Sequence, residues 1–341
     1  MKGYITLTDA TLRDGNHAVR HQLTIEQIVQ YAEAADEAGI DIVEVGHGNG
    51  LGASSSLLGK AVNSDATMLA SVRAKLAHAE LGIHFIPGLG KISDIEIALE
   101  AGVDVFRLAS HCTEANITRQ FIEHVRHAGK TAYGVLMMSH MADADEILKQ
   151  SRLMQSYGAH AIVLMDSAGF STPDLVKEKV ERLIDGLSIP VGYHAHNNLG
   201  LAVANSIAAV ESGATLLDAC VRGFGAGAGN TQLETLVPVL ERYGYRTGTD
   251  FARTVRLAKR TDEFLPIRTP HIAISNITTG VFGLFSGFVP HIERLASELK
   301  IDSFELCQAL AHRKLVAGQE DVIVEEAHRL ATRNAQSIPA R

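Results

Sequence analysis

A chain of 341 residues, 46% hydrophobic and 21% charged, carries enough apolar content to bury a large core. Its formal net charge of -8, with no block of consecutive Lys or Arg, lacks the basic footprint that nucleic acid or an anionic membrane surface demands. No run reaches the ~18 apolar residues of a membrane span, the N-terminus lacks a signal-peptide core, and Cys112, Cys220 and Cys307 show neither disulfide nor zinc spacing. A cytoplasmic protein in a reducing compartment, with small molecules or proteins as partners, is the expectation.

An apolar-alternating segment at 4–8 leads into Asp9-Ala10-Thr11-Leu12-Arg13-Asp14-Gly15, with His17 just beyond. Thr24, with Glu26 and Gln27 in the first turn, starts a helix over 24–38 that Gly39 ends. A phrase that closes a helix with Gly and launches a buried strand recurs at Ala101-Gly102-Val103, Tyr157-Gly158-Ala159 and Ser212-Gly213-Ala214. Strands are expected at 4–8, 40–45, 82–86, 103–108, 131–137, 161–165, 190–195 and 215–220. Helices fall between them at 66–80, 91–100, 114–127, 142–156, 173–184, 200–211 and 230–243.

Near-continuous Val/Ile/Leu strands alternating with helices fit either a closed barrel or an open doubly wound sheet. Eight units within about 250 residues, and no GxGxxG after the first strand, favour an α/β fold of the (β/α)8 TIM-barrel type over 1–250. From 251 to 341 the alternation stops. Helical patterns at 251–264, 291–300, 303–312 and 319–335 flank an apolar, glycine-spaced segment, Ile277 to Phe288, so a helical C-terminal domain that contacts a partner is expected.

Candidate chemistry gathers at the C-terminal ends of the expected strands, where a TIM barrel keeps its active site. His194 and His196, two apart on a strand, share a face. A lone strand histidine is ordinarily a packed core group, but His-x-His at a βα junction is half a metal site. Asp14, near the end of strand one, can complete it once the barrel closes. Two imidazoles and one carboxylate leave about three coordination positions open, which suits Mn²⁺, Mg²⁺, Co²⁺ or Fe²⁺ better than structural zinc. The same triad serves non-haem iron oxygenases, so the ligands alone do not fix the reaction.

Arg13 offers a planar fork for a substrate carboxylate or a developing enolate, or else a rim salt bridge. His17 is either a general base or a solvated loop histidine. His21, His47, His84, His111 and His140 also fall near loops or strand ends. The glycines from Gly223 to Gly229, ahead of Asn230, expose backbone N–H groups to an anion or simply make a tight loop. Ser167, in Asp166-Ser167-Ala168-Gly169, is a candidate hydrogen-bond donor or a helix cap.

Residues 9–15, His194-Ala195-His196-Asn197-Asn198 and the Gly225-to-Asn230 loop together resemble the metal-dependent lyase and synthase superfamily that includes isopropylmalate synthase and hydroxymethylglutaryl-CoA lyase. Within it, the segments 44–52, 87–90 and 166–169 are similar to those of the 4-hydroxy-2-oxovalerate aldolases, nearly end to end. The resemblance implies retro-aldol cleavage of a 4-hydroxy-2-oxo acid to pyruvate and an aldehyde. It implies Asp14, His194 and His196 as ligands of Mn²⁺, with Mg²⁺ or Co²⁺ as substitutes. Arg13 would stabilise the pyruvate enolate, Ser167 seat its carboxylate, and His17 take the C4 hydroxyl proton, with Asn230 as a further loop contact. It also implies an oligomer and an acylating acetaldehyde dehydrogenase partner bound through the C-terminal helices.

A Claisen-type synthase or CoA-ester lyase shares the metal site, but the Gly-x-Gly-Glu-Arg loop usual there is replaced around Ala226 and Ala228. A degenerate barrel kept as a subunit predicts instead that Asp14→Asn changes nothing. Two positions depart from the aldolases: Phe285 stands where they carry a tyrosine, and His84 where they carry an apolar residue. Alternation places His84 and Ile86 on one face, which the resemblance puts at the aldehyde side of the pocket.

Overall fold

The computed structural model describes residues 2–266, 270–316 and 318–336. Its centre is a closed barrel of eight parallel strands in chain order, the last pairing with the first. The strands are β1 (Thr6–Leu12), β2 (Ile42–Val45), β3 (Glu80–Phe85), β4 (Val105–His111), β5 (Thr131–Met137), β6 (Ala161–Asp166), β7 (Val191–Ala195) and β8 (Leu216–Ala219). A short α1 (Gly15–Ala18) precedes the outer ring of α2 (Ile25–Glu37), α3 (Asp65–Arg73), α4 (Ile92–Glu100), α5 (Arg119–His127), α6 (Ala144–Ser156), α7 (Pro173–Gly186), α8 (Ala202–Glu211) and α9 (Leu233–Tyr243). The α2 start is the expected capping box: Thr24 Oγ accepts from Gln27 N–H while Gln27 accepts from Thr24 N–H.

Two boundaries moved for identifiable reasons. The first strand is not 4–8 but Thr6–Leu12, so half of the charged motif is strand. Its polar residues satisfy one another in the buried layer: Asp9 accepts from Thr11 N–H, Thr11 Oγ–H and Tyr31 O–H, which lets a carboxylate sit where apolar side chains were expected. The helix expected over 66–80 stops at Arg73, because Asp36 draws the N–H groups of Ala77, His78 and Ala79 into a turn ahead of β3.

Beyond the barrel, α10 (Phe251–Phe264) packs against α2 and α9. The helices α11 (Ile274–Phe282), α12 (Val289–Leu299), α13 (Ser303–Ala311) and α14 (Glu320–Gln336) then enclose a separate core of Phe288, Ile292, Leu295, Leu306, Leu310 and Ile323. The glycine-spaced segment is thus α11 plus a 3-10 turn at Ser286–Phe288, with Gly283 at φ 65° as the left-handed helix cap. Among the described residues, no helix is long and apolar enough to cross a membrane.

Candidate active site

The parallel closure brings β7 and β1 to either side of β8 and so joins two motifs 180 residues apart. Asp14, His194 and His196 each offer a ligand atom, and all three lie within 4.8 Å of one another. His194 Nε2 is 3.5 Å and His196 Nε2 3.7 Å from Asp14 Oδ2, and the two nitrogens are 3.4 Å apart. All three residues are buried. A carboxylate oxygen and two imidazole nitrogens converging in this way form a donor set for a divalent cation with room for further ligands.

The charges around this set are unequal. Burial would raise the Asp14 pKa, but Arg13 and then His196 hold it well below the carboxylate range. Burial would lower His194, yet its hydrogen bonds to Asp14 and Asp218 raise it instead. His196 is pushed down to about 4, chiefly by burial.

Arg13 is spent in three directions. Nε donates to Glu44 Oε2 at 2.8 Å, Nη1 to Asp14 Oδ2 at 2.8 Å and weakly to the Gly48 carbonyl at 3.4 Å. Nη2 is buried and has no protein partner, which leaves one donor for a bound group. The salt bridges of Arg13 thus leave one of its nitrogens without a protein partner.

His17 lies in α1 and borders the cavity. A Cβ on Gly48 would come within 2.5 Å of the His17 ring, so the glycine is what admits it. Behind it, His21 packs edge-on to His17 and stacks on His47 at 3.6 Å, so these two histidines form its wall. Burial pushes His17 down to about 4, with Arg13 adding to the push and Asp14 opposing it.

A cavity of about 350 Å³ opens over the strand ends. Arg13, Asp14, His17, Ser167 and His196 line its polar floor, and His84, Ile86 and Phe285 lie on its walls with several methionines and leucines. Ser167 Oγ accepts from Met138 N–H at 3.0 Å, which leaves its own proton free to donate. His84 Nδ1 is buried without a hydrogen bond, 3.9 Å from Glu44 Oε1, and burial holds the ring neutral.

Asn230 does not line the cavity: it pairs by a β-bridge with His196 and donates to Cys220 Sγ. The glycine loop does meet an anion, but that anion is the protein's own, since Ala226 N–H donates to Asp14 Oδ1 at 3.0 Å.

Three functional positions escaped the sequence. Asp218, inside β8, meets His194, and Arg107, inside β4, meets Asp218 in turn. The available signal was a charged residue within an otherwise apolar strand, in Val105-Phe106-Arg107-Leu108 and Leu216-Leu217-Asp218-Ala219. Asn198, two residues past His196, donates to the Asn276 carbonyl, Thr279 Oγ1 and Ser286 Oγ, so the metal strand is tied directly to α11. Asn198→Ala removes all three bonds and strips the buried Ser286 Oγ of the partner it both accepts from and donates to, which is expected to cost about 1–3 kcal/mol. A thermal melt unchanged from the parent chain would contradict it.

Known proteins resemble this chain at every level. Residues 4–260 match the HMGL-like family, and residues 270–332 a DmpG-like communication domain. The 4-hydroxy-2-oxovalerate aldolase of Burkholderia pseudomallei (strain K96243) is 65% identical over 327 residues, covering 96% of this chain and 94% of that one. The 4-hydroxy-2-oxovalerate aldolase of Pectobacterium atrosepticum is 51% identical over 336 residues, 98% of each chain. In fold alone, the carboxyl transferase domain from Rhizobium etli pyruvate carboxylase superposes with a TM-score of 0.78 at 19% identity, covering 97% of this chain and 60% of that one. By its sequence, its closed barrel and the place of its motifs, the chain belongs to the HMGL-like family and, within it, to the 4-hydroxy-2-oxovalerate aldolases.

Proposed function

We propose that the protein is a divalent-metal aldolase that cleaves 4-hydroxy-2-oxovalerate, or a close 4-hydroxy-2-oxo acid, to pyruvate and an aldehyde. The observation that carries this is the convergence of Asp14, His194 and His196 beside the unpartnered Arg13 Nη2, with His17 on the same cavity. The aldolase name of both relatives favours it over an acyl-CoA synthase.

Asp14, His194 and His196 would hold a divalent cation, Mn²⁺ suiting this mixed nitrogen and oxygen donor set, which would supply a Lewis acid at the C2 carbonyl. The protein's groups do the rest. Ser167 O–H donates to the substrate carboxylate. His17, neutral at working pH, takes the proton from the C4 hydroxyl, the C3–C4 electron pair moves toward C2 as the aldehyde leaves, and the enolate takes a proton from solvent at C3 to become pyruvate. Arg13 Nη2 donates to the oxygen on which negative charge develops. Phe285, His84 and Ile86 bound the aldehyde side, and without a hydroxyl Phe285 offers the C4 substituent an apolar wall.

Removing His17 as a base is expected to lower kcat by about 10²–10⁴-fold. Because its pKa lies near 4, below the ordinary 6.5, the base stays unprotonated as the medium is acidified from pH 7.5 to 5.5. The kcat/KM profile therefore loses no activity to His17 over that window. An acid limb near 6.5 that disappears in His17→Ala contradicts the low pKa while leaving His17 as the base. The reaction itself is checked with purified chain, Mn²⁺ and 4-hydroxy-2-oxo acids of increasing length, following pyruvate; absence of metal-dependent release from all of them overturns it.

The C-terminal helices suit an acylating acetaldehyde dehydrogenase as partner, within an oligomer. The communication-domain match covers them, and α11 and α13 leave Ile274, Val281 and Phe304 79%, 55% and 53% exposed.

A further inference from the structure

Five strands and their ends send charged side chains to one level of the barrel interior, and their contacts close into a ring. From Asp14 Oδ2 the path runs to Arg13 Nη1 at 2.8 Å, and from Arg13 Nε to Glu44 Oε2 at 2.8 Å. Glu44 Oε1 accepts from Arg107 Nη1 at 3.1 Å, and Arg107 Nη2 donates to Asp218 Oδ2. Asp218 Oδ2 meets His194 Nδ1 at 2.9 Å, and His194 Nε2 returns to Asp14 Oδ2 at 3.5 Å.

Arg107 is the member of this ring with no evident task. It is 0% exposed, does not border the cavity and touches none of the three ligands. Sequestering a guanidinium and two carboxylates from water costs several kcal/mol per ion, and apolar residues would fill the barrel at least as well. Stability alone therefore does not explain it.

What Arg107 does is hold two carboxylates at fixed positions. Glu44 gives one oxygen to Arg13 and the other to Arg107, so it cannot swing toward either arginine without releasing the other. Asp218 uses a single oxygen for Arg107 and His194. An ionised carboxylate only accepts, so His194 Nδ1 carries a proton toward Asp218, which leaves Nε2 as the nitrogen that faces Asp14 and His196.

We propose that Arg107 is a positioning residue for the metal site: by gripping Glu44 and Asp218 together, it fixes the ring orientation and tautomer of His194 and the plane of the Arg13 fork. This rests on Asp14, His194 and His196 being the metal ligands. Arg107 acts through Asp218, and both sit outside the ligand set.

The test is the Mn²⁺ dissociation constant of the metal-stripped full chain, by titration calorimetry and by the paramagnetic resonance of free Mn²⁺. Asp218→Asn and Arg107→Met are each expected to weaken binding by about 10–100-fold. The double variant should be no weaker than the poorer single, because the two residues act in one line. Circular dichroism checks the fold. If Arg107→Met does not fold, Arg107→Lys, which keeps the charge but cannot fork to two carboxylates, takes its place with the same expected loss. A folded single variant that binds within twofold of the parent overturns the proposal, as do losses that multiply in the double. His196→Ala separates the two levels: if the parent chain binds Mn²⁺ no better than this variant, the ligand assignment itself falls. If the parent binds well and the Arg107 and Asp218 variants match it, only the positioning role falls.

Discussion

Asp14→Asn is expected to lower kcat/KM for pyruvate release by roughly 10³-fold or more, the effect of losing several kcal/mol of charge stabilisation at the metal. The substitution keeps the shape of the side chain but removes the anionic oxygen toward which both imidazoles point. It also leaves Arg13 with Glu44 as its one remaining carboxylate. A thermal melt taken beside the rate separates these consequences, since a buried charge stripped of a partner costs about 3–5 kcal/mol when nothing compensates. Activity within tenfold of the parent chain at saturating Mn²⁺ contradicts the metal role.

Arg13→Lys is expected to lower kcat by about 10²–10³-fold, the scale of removing one donor from a developing oxyanion. An ammonium is a point charge on a flexible stem. It cannot keep Glu44, Asp14 and a bound oxygen in one plane as the guanidinium does. Because Asp14, His194 and His196 are all retained, Mn²⁺ affinity should stay within tenfold of the parent. That pattern, with kcat lost and metal kept, is the reverse of the one expected for Asp218→Asn under subsaturating metal. If Arg13→Lys instead loses Mn²⁺ while turning over normally once saturated, the fork serves the metal and not the substrate.

The barrel was legible because its signal is local and repeated. Each strand is a short apolar run, and a glycine in positive φ ends the preceding helix at Gly39, Gly102, Gly158 and Gly213. The candidate metal set was legible because His194 and His196 lie two apart at the end of one strand and Asp14 follows another. What stayed hidden depends on contacts that no neighbour in sequence records. Arg107 meets Glu44 across 63 residues and Asp218 across 111, and until the barrel closes it is only a charge in an apolar strand. Asn198 sat in plain view within its motif, but its partners are 78 to 88 residues away on α11 and the following turn. The β1 boundary was misplaced for the opposite reason. Asp9 and Thr11 look solvated in sequence, and their bonds to each other and to the Tyr31 hydroxyl, supplied by α2, make them tolerable inside.

The seam where β1 meets β8 also governs how the protein resists unfolding. A folding intermediate built from β1 to β4 contains Arg13, Asp14, Glu44 and Arg107 but neither imidazole; one built from β5 to β8 has both imidazoles and no Asp14. No half-barrel can hold the ion, so all of its binding energy, about 2.7 kcal/mol when the metal is at a hundred times its dissociation constant, falls to the closed form. A bound cation would thus act as a clasp across the β1–β8 seam, and the stability of the native barrel would rise with the cation content of its surroundings.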